Sequence, residues 1–120
     1  MADYEKLRVW QEAHRVALRV YAVTQKYPKA ERFSLTQQTR RAAASIASNI
    51  SEGAGRGSDR DFARFVRYSV GSANEVEYQL RLAADLGYVD PATHADLREN
   101  VRLVRSMLGA LGQRLTPRRR

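Results

Sequence analysis

Apolar residues recur along this chain at the three- and four-residue spacing of α-helices, in four segments separated by short polar stretches. The spacing predicts helices over about residues 4–27, 35–52, 59–86 and 91–115. No segment alternates with a period of two, so no strand is predicted. Four helices, each about 30 Å long and joined by short connections, favour an all-α, antiparallel up-down-up-down four-helix bundle. We expect one domain over residues 1–116, followed by a basic C-terminal tail over 117–120.

The first predicted helix is apolar over nearly half of its circumference. One line of apolar residues includes Val9 and Val16, and a second line, about 100° away, includes Trp10 and Tyr21. A simple surface helix buries a narrower arc of about 100°. The surplus therefore predicts a second surface that another molecule covers. His14 lies on this apolar side, and we expect it at the edge of the core.

Residues that favour helix starts precede the other three segments. Ser34 and Gln37 match a capping box, in which the serine oxygen accepts a hydrogen bond from a backbone amide and the glutamine reaches back. Ser58 stands before two acidic residues and is the expected N-cap of the third helix. Asp90 and Pro91 have the types expected at the N-cap and the first position of the fourth helix.

The glycine-rich stretch "EGAGRG" separates the second and third helices. Gly53 and Gly55 predict the end of the second helix and the chain reversal, and Gly87 predicts the end of the third. A phosphate-binding loop would need a preceding strand and a closing Lys-Ser/Thr pair, and neither is present. Small residues at 42–47 and 71–73 instead predict that the second and third helices approach closely.

Polar residues flank the apolar faces of these two helices. One hypothesis is a buried network between the helices that fixes their register. The alternative is a solvated polar face, because charged residues are seldom buried without partners. The residues of the predicted structural network are Arg41, Asn49, Glu52, Ser72 and Glu75.

The net charge of +8 favours an anionic partner, with nucleic acid the first candidate. Arginines recur at helical spacing on three segments, opposite or beside the apolar stripes, and arginine can pair with phosphate through two hydrogen bonds. The alternative for each row is a solvated face with ion-pair partners. The predicted nucleic-acid-binding rows contain Arg8, Arg15 and Arg19, then Arg60, Arg64 and Arg67, then Arg98, Arg102 and Arg105.

Residue patterns typical of catalysis or metal binding are missing from the sequence. It has no cysteine, and His14 and His94 are not in metal-ligand spacing. No Gly-x-Ser-x-Gly elbow occurs. We therefore predict a non-enzymatic protein with no catalytic residue, cofactor or metal. The N-terminus lacks a signal-peptide profile and no apolar run approaches about 18 residues, so a cytoplasmic location without membrane contact is expected.

Four strings of the sequence resemble a known family. They are "LRVWQEA", "TQQTRRAAASIASNISEGAGR", "GSANEVEYQL" and "LAADLGYV", and the similarity extends from Leu7 to about Leu115. The family is the bacterial four-helix-bundle family named after proteins encoded in 23S rRNA intervening sequences. It includes the accessory variability determinant proteins of diversity-generating retroelements.

The resemblance implies a homopentamer with a basic surface and no established enzymatic activity. In retroelement members it implies binding to nucleic acid and to a reverse transcriptase. Arg40 and Arg56 fall in the family's helix-two motif and join the predicted nucleic-acid-binding residues. Ala54 stands where typical members have a bulky residue. The motif positions in this chain are Gln38, Arg40, Arg41, Ser45, Asn49, Glu52, Gly53 and Arg56 in helix two, and Gly71, Ser72, Glu75 and Leu80 in helix three.

The sequence thus favours an oligomeric bundle that binds RNA or DNA through phosphate contacts. The alternative is a protein-interaction scaffold, or an accessory subunit of a partner enzyme such as a retroelement reverse transcriptase. The pattern does not distinguish the rRNA-associated from the retroelement subgroup.

Overall fold

The computed structural model describes residues 3–117, which form four α-helices and contain no strand. Two short 3₁₀ turns, Tyr4–Lys6 and Lys29–Glu31, precede the first and second helices. Beyond Pro117, the predicted basic tail lies outside the described residues. The helices are α1 (Arg8–Thr24), α2 (Leu35–Ala54), α3 (Asp59–Asp85) and α4 (Pro91–Leu115).

The four helices pack side by side in chain order. Each contacts the next, and α4 closes the ring against α1. The connections are short, so successive helices run antiparallel in a rod of 49 × 25 × 21 Å. The predicted up-down-up-down four-helix bundle is confirmed.

The core follows the apolar stripes of the sequence. Each helix contributes aliphatic residues at three- and four-residue spacing, and these side chains are shielded from solvent on all sides. The largest fully buried core side chains are Val16, Val20, Ile46, Ile50, Val66, Val76, Leu80, Leu97, Val101, Val104 and Leu108. Because every stripe points inward, the charged residues between the stripes are left on the outside of the rod.

The first helix is shorter than its apolar pattern predicts. Leu7 is extended (φ −72°, ψ 125°) and separates the 3₁₀ turn from α1, while its side chain packs against the core. At the other end α1 stops at Thr24, because Pro28 disfavours helical geometry in the residue before it. Tyr27 is nevertheless buried, and burial raises its pKa to about 12.

Two of the three predicted N-caps are confirmed. The side-chain oxygens of Ser58 and Asp90 accept hydrogen bonds from the third amide that follows them, at 3.1 and 2.9 Å. The predicted Ser34 cap is wrong. The Ser34 hydroxyl donates to the carboxylate of Glu31, and the same carboxylate oxygen accepts from the amide of Leu35 at 3.4 Å. Glu31 therefore supplies the acceptor at the start of α2.

The turn between α2 and α3 uses a different glycine from the expected pair. Gly53 is a buried residue within α2, and Gly55 has an ordinary φ of −87°. Gly57 takes the left-handed conformation (φ 87°) that reverses the chain. Gly87 has φ 81° directly after α3, in agreement with the prediction.

Candidate nucleic-acid interface

A basic groove follows the junction of α3 and α4. The part of the groove near the end of α3 and the start of α4, which we call the upper groove, has a volume of about 440 Å³. Its walls carry four arginines, one histidine and one carboxylate. Tyr78 is 65% exposed at its edge. The lining residues are Asn74, Glu77, Tyr78 and Arg81 from α3, and His94, Arg98, Arg102 and Arg105 from α4.

Glu77 is the only carboxylate of this upper groove. It accepts hydrogen bonds from Arg102, at 3.0 Å, and from Arg105. Partial burial opposes ionisation of Glu77, but the bonds from Arg105 and Arg102 outweigh that effect and hold its pKa below the ordinary value. The single negative charge of Glu77 thus orients two guanidinium groups, and the three side chains together keep a net positive charge.

Among the described residues that line the upper groove, Arg81, Arg98 and His94 have no acidic partner. Arg81 pairs with Asp85 on its own helix, at 3.1 Å. The Nε atom of Arg98 and the Nε2 atom of His94 are shielded from solvent, with no hydrogen-bond partner within residues 3–117. Unpaired polar atoms of this kind are costly, and an anion in the groove would offer the Arg98 guanidinium an acceptor.

The positive surface continues toward the other end of the same two helices. Arg67 borders two further depressions, of about 500 Å³ each, and Arg60 and Arg114 border one of them. Arg60 and Arg81 mark the ends of the row on α3, about six helical turns or 30 Å apart. Seven arginines and two carboxylates line this α3–α4 face: Arg60, Arg67, Arg81, Arg98, Arg102, Arg105 and Arg114, with Asp59 and Glu77.

The structure divides the predicted α3 row between two places. Arg60 and Arg67 lie on the α3–α4 face. The guanidinium of Arg64 instead lies 5.0 Å from the ring centre of Phe65, and that of Arg56 lies 4.8 Å from the same ring. Arg56 and Arg64 therefore form a separate cluster at the α2–α3 corner.

The other predicted arginines also lie away from the α3–α4 face. Arg8 is exposed and borders a depression between α1 and α4. Arg15 is 3.7 Å from Glu12, and Arg19 bonds to Asp96 at 2.7 Å. Arg19 also bonds to the side chain of Asn100 on α4.

The five residues of the predicted polar network do not join into one network between α2 and α3, and only Ser72 contacts the other helix. Two partners do meet across the helices, because the hydroxyls of Ser45 and Ser72 are 2.6 Å apart. Asn49 donates to the carbonyl of Ser45, 2.8 Å away on its own helix. Glu52 is 3.7 Å from Arg56, and Glu75 accepts from Gln79 at 3.1 Å. Arg41 is exposed and makes no hydrogen bond or ion pair within residues 3–117.

Ser69 supplies a second contact between these helices that the sequence pattern did not indicate. Its buried hydroxyl donates to the backbone carbonyl of Ile46, 2.9 Å away on α2. A side chain reaches a helix backbone in this way only where two helices approach closely. Buried Ala42, Ala43, Ala47 and Ala73 therefore have the role that the sequence predicted, whereas Ala44 and Gly71 are exposed and do not.

The apolar surplus of α1 is visible on the surface of this single chain. Leu18 and Tyr21 are 59% and 46% exposed. His14, expected at the core edge, is exposed and stacks on Trp10 with the ring centres 5.0 Å apart. Among residues 3–117, no group of three potential ligands is placed to hold a metal ion. Within the same residues, no helix combines the length and apolar character that crossing a membrane requires.

Residues 5–110 match the profile of the 23S rRNA-intervening sequence protein family. This chain belongs to that family. Its fold resembles the crystal structure of a protein of unknown function from the S23 ribosomal protein family of Bacteroides thetaiotaomicron. The TM-score is 0.81 at 22% sequence identity, and the alignment covers 88% of this chain and 95% of that one. No match is found among curated proteins.

Several residues of the α3–α4 face were outside the sequence prediction, among them both of its carboxylates, Asp59 and Glu77. Asn74 and Arg81 continue a seven-residue repeat that begins at Arg60, and that repeat is a detectable signal for one helix face. His94 and Arg114 extend the face on α4, near the two ends of that helix. Whether His94 and Arg114 lie on this face depends on which side of α4 packs against α3, and the sequence pattern does not give that side.

Proposed function

We propose that this member of the family is a non-enzymatic, cytoplasmic, oligomeric bundle domain over residues 1–116 that binds RNA or DNA through the α3–α4 face. One observation carries the proposal: among residues 3–117, seven arginines and only two carboxylates line the depressions of one face. The protein needs no cofactor for this role. Contacts to phosphates predict affinity with little dependence on base sequence.

The size of the face fits a nucleic-acid backbone. Its length of about 30 Å corresponds to about nine base pairs of duplex at 3.4 Å per pair. Arginine side chains on both walls can reach phosphates that run along the groove. With four such contacts, an increase in salt concentration from about 50 to about 200 mM would lower the affinity about 100-fold, because binding releases the counterions condensed on the phosphates.

The test is fluorescence anisotropy with a labelled 20-base-pair RNA duplex at a series of salt concentrations. The double variant R98A/R102A removes two charges from the α3–α4 face. We expect its affinity at low salt to fall about tenfold or more and its salt slope to decrease by about two.

The matched control is R8A/R15A, which removes the same charge from α1. We expect it to bind nearly as well as the wild-type protein, since neither residue lies on the α3–α4 face. Equal losses in the two double variants would show that only net charge matters. An affinity that hardly changes with salt would contradict phosphate binding altogether.

The exposed side of α1 supports the oligomeric part of the proposal. Leu18, which is 59% exposed, leaves apolar surface that copies of the chain can cover, and family resemblance implies a pentamer. We expect light scattering at micromolar concentration to report an oligomer and the L18E variant to report a monomer. A wild-type monomer would remove this part of the proposal.

The same α1 surface also favours the second candidate, an accessory subunit of a retroelement reverse transcriptase. Gene context separates the two cases, because that role requires a neighbouring reverse transcriptase gene and a variable repeat. Where such a neighbour exists, co-purification after nuclease treatment should persist in R98A/R102A and be lost in L18E. Loss of co-purification on nuclease treatment alone would instead support a complex held together by nucleic acid.

A further inference from the structure

A second cationic surface lies where α1 ends and α2 begins, and none of its residues belongs to the α3–α4 face. We call it the α1–α2 corner: Tyr21, Arg32, Phe33, Thr36, Arg40 and Arg41 around a depression of about 370 Å³. Among residues 3–117, no carboxylate lines it. Its two aromatic rings and three guanidinium groups interleave in a small area.

Phe33 is the most exposed large apolar residue of the described chain, at 81%. It stands in the connection just before α2, and the guanidinium of Arg32 lies 5.2 Å from its ring centre. Across the depression, the guanidinium of Arg40 lies 4.7 Å from the ring centre of Tyr21. Both rings are therefore presented beside a cation rather than packed into the core.

The arginines of the corner have no acidic partner within residues 3–117. Arg40 donates to the hydroxyl of Thr24 at 2.8 Å and to the carbonyl of Tyr21 at 3.4 Å, and both acceptors are neutral. Glu31 is the nearest acid in sequence, but the hydroxyls of Ser34 and Tyr88 hold its carboxylate. The positive charge of the corner is thus available to a ligand.

From this arrangement we infer that the α1–α2 corner binds an unpaired nucleotide, with the base stacked on Phe33 and the phosphate held by Arg40 and Arg41. Exposed aromatic rings beside arginines are how proteins hold single-stranded nucleic acid, since every base has a π-face. A base within a duplex is already stacked and cannot use the site. The inference rests on the proposed function for the ligand class, and it adds a preference for single-stranded or looped segments.

The variant F33A tests the stacking contact with the least risk to the fold, because Phe33 is outside the core. The probe is a labelled hexa-adenylate RNA. We expect F33A to bind it about tenfold or more weakly, and F33L, which keeps apolar bulk without an aromatic face, to show most of that loss. F33W should restore or exceed the wild-type affinity. Equal binding by wild type, F33A and F33L would overturn the inference.

A fluorescence measurement reports the contact directly. Trp10 is the only tryptophan of the chain, so W10F/F33W carries one tryptophan at the corner. We expect hexa-adenylate to quench its emission in a saturable way and a 20-base-pair duplex to leave it nearly unchanged. Quenching of equal strength by the duplex, or none by the hexamer, would overturn the inference.

These tests distinguish the α3–α4 proposal from the α1–α2 corner inference. If R98A/R102A binds duplex RNA like the wild-type protein while F33A loses the hexamer, the α3–α4 proposal is wrong and the corner stands. If F33A leaves hexamer binding intact while R98A/R102A loses the duplex, the corner inference is wrong. A glutamate–tyrosine copolymer that binds through Phe33 when the hexamer does not would assign the corner to an acidic protein instead.

Discussion

At the scale of single residues, two glycines of neighbouring helices have opposite surroundings. A Cβ atom on Gly53 would lie 2.8 Å from both Cδ1 of Phe62 and Cβ of Phe65. Phe65 Cβ is fixed to the backbone of α3, so it cannot move aside without shifting that helix. A Cβ atom on Gly71 would meet nothing within 4 Å. Gly53 is thus required by the close packing of α2 on α3, and Gly71 is not.

The variants G53A and G71A should therefore change stability in opposite directions. We expect G53A to lower the free energy of unfolding by about 1 to 3 kcal/mol through overpacking. G71A should raise it by up to about 1 kcal/mol, because alanine favours a helix interior over glycine. Urea unfolding followed by circular dichroism measures both values. A stable G53A would show that α2 and α3 separate more easily than their contacts suggest.

At the scale of helices, the start of α2 depends on a residue outside the helix. Glu31 accepts hydrogen bonds from the Ser34 hydroxyl and the Tyr88 hydroxyl, at 2.7 and 2.9 Å, and from the amide of Leu35. The bonds from Ser34 and then Tyr88 lower the pKa of Glu31 from its ordinary value of 4.5. One carboxylate thus connects the start of α2 to the turn between α3 and α4.

This lowered pKa gives stability a defined pH dependence. The Glu31 carboxyl group binds a proton more readily in the unfolded chain, where its pKa is about 4.5, than in the folded protein. The contribution of Glu31 to the free energy of unfolding is therefore fully present above about pH 4.5 and is lost as the pH falls through the lower pKa of the folded protein. We expect E31Q to be less stable than wild type at pH 7, with the difference shrinking below pH 4. Urea unfolding at several pH values measures it.

The control for this pH dependence is E99Q. Glu99 is an exposed residue of α4 and makes no hydrogen bond or ion pair among the described residues. We expect E99Q to follow the wild-type protein at every pH. A constant difference between E31Q and wild type from pH 3 to pH 7 would contradict the linkage.

At the scale of the whole molecule, charge is distributed unevenly over the rod. Arg19 bonds to Asp96 across α1 and α4, and Arg15 and Arg56 have carboxylates 3.7 Å away. On the α3–α4 face, Glu77 alone holds two arginines in place. The face therefore remains positive, whereas Arg15, Arg19 and Arg56 each lie beside an acid of their own.

Removal of the Glu77 charge should strengthen nucleic-acid binding. In E77Q, Arg102 and Arg105 lose their shared carboxylate and become available to phosphates, so we expect several-fold tighter duplex binding and a steeper salt slope. E12Q makes the same charge change beside Arg15 on α1 and should have a smaller effect. Anisotropy titrations of the two variants measure the difference. Weaker binding by E77Q would mean that the orientation of the arginines matters more than their charge.

The sequence by itself determined the four helices and the side of each that is buried. The spacing of Leu97, Val101, Val104 and Leu108 predicts a buried stripe, and the structure buries all four. Such patterns are local, because apolar residues three or four positions apart share a helix face in any bundle. Ser58 and Asp90 likewise act on amides three residues away, so the starts of α3 and α4 were predictable. The family, too, could be identified from short strings of residues.

Only the tertiary structure decided which polar residues meet. Arg60, Arg64 and Arg67 share one helix side, yet only Arg60 and Arg67 line the α3–α4 face, while Arg64 contacts Asp61 and Phe65 of its own helix. The carboxylate of Glu31, which replaces Ser34 as the acceptor for α2, also accepts a hydrogen bond from the hydroxyl of Tyr88, 57 residues away in sequence. These outcomes depend on the rotation and approach of neighbouring helices. The rotation and the approach of two helices are set by side chains that are distant in sequence, so the spacing of residues within one helix does not predict them.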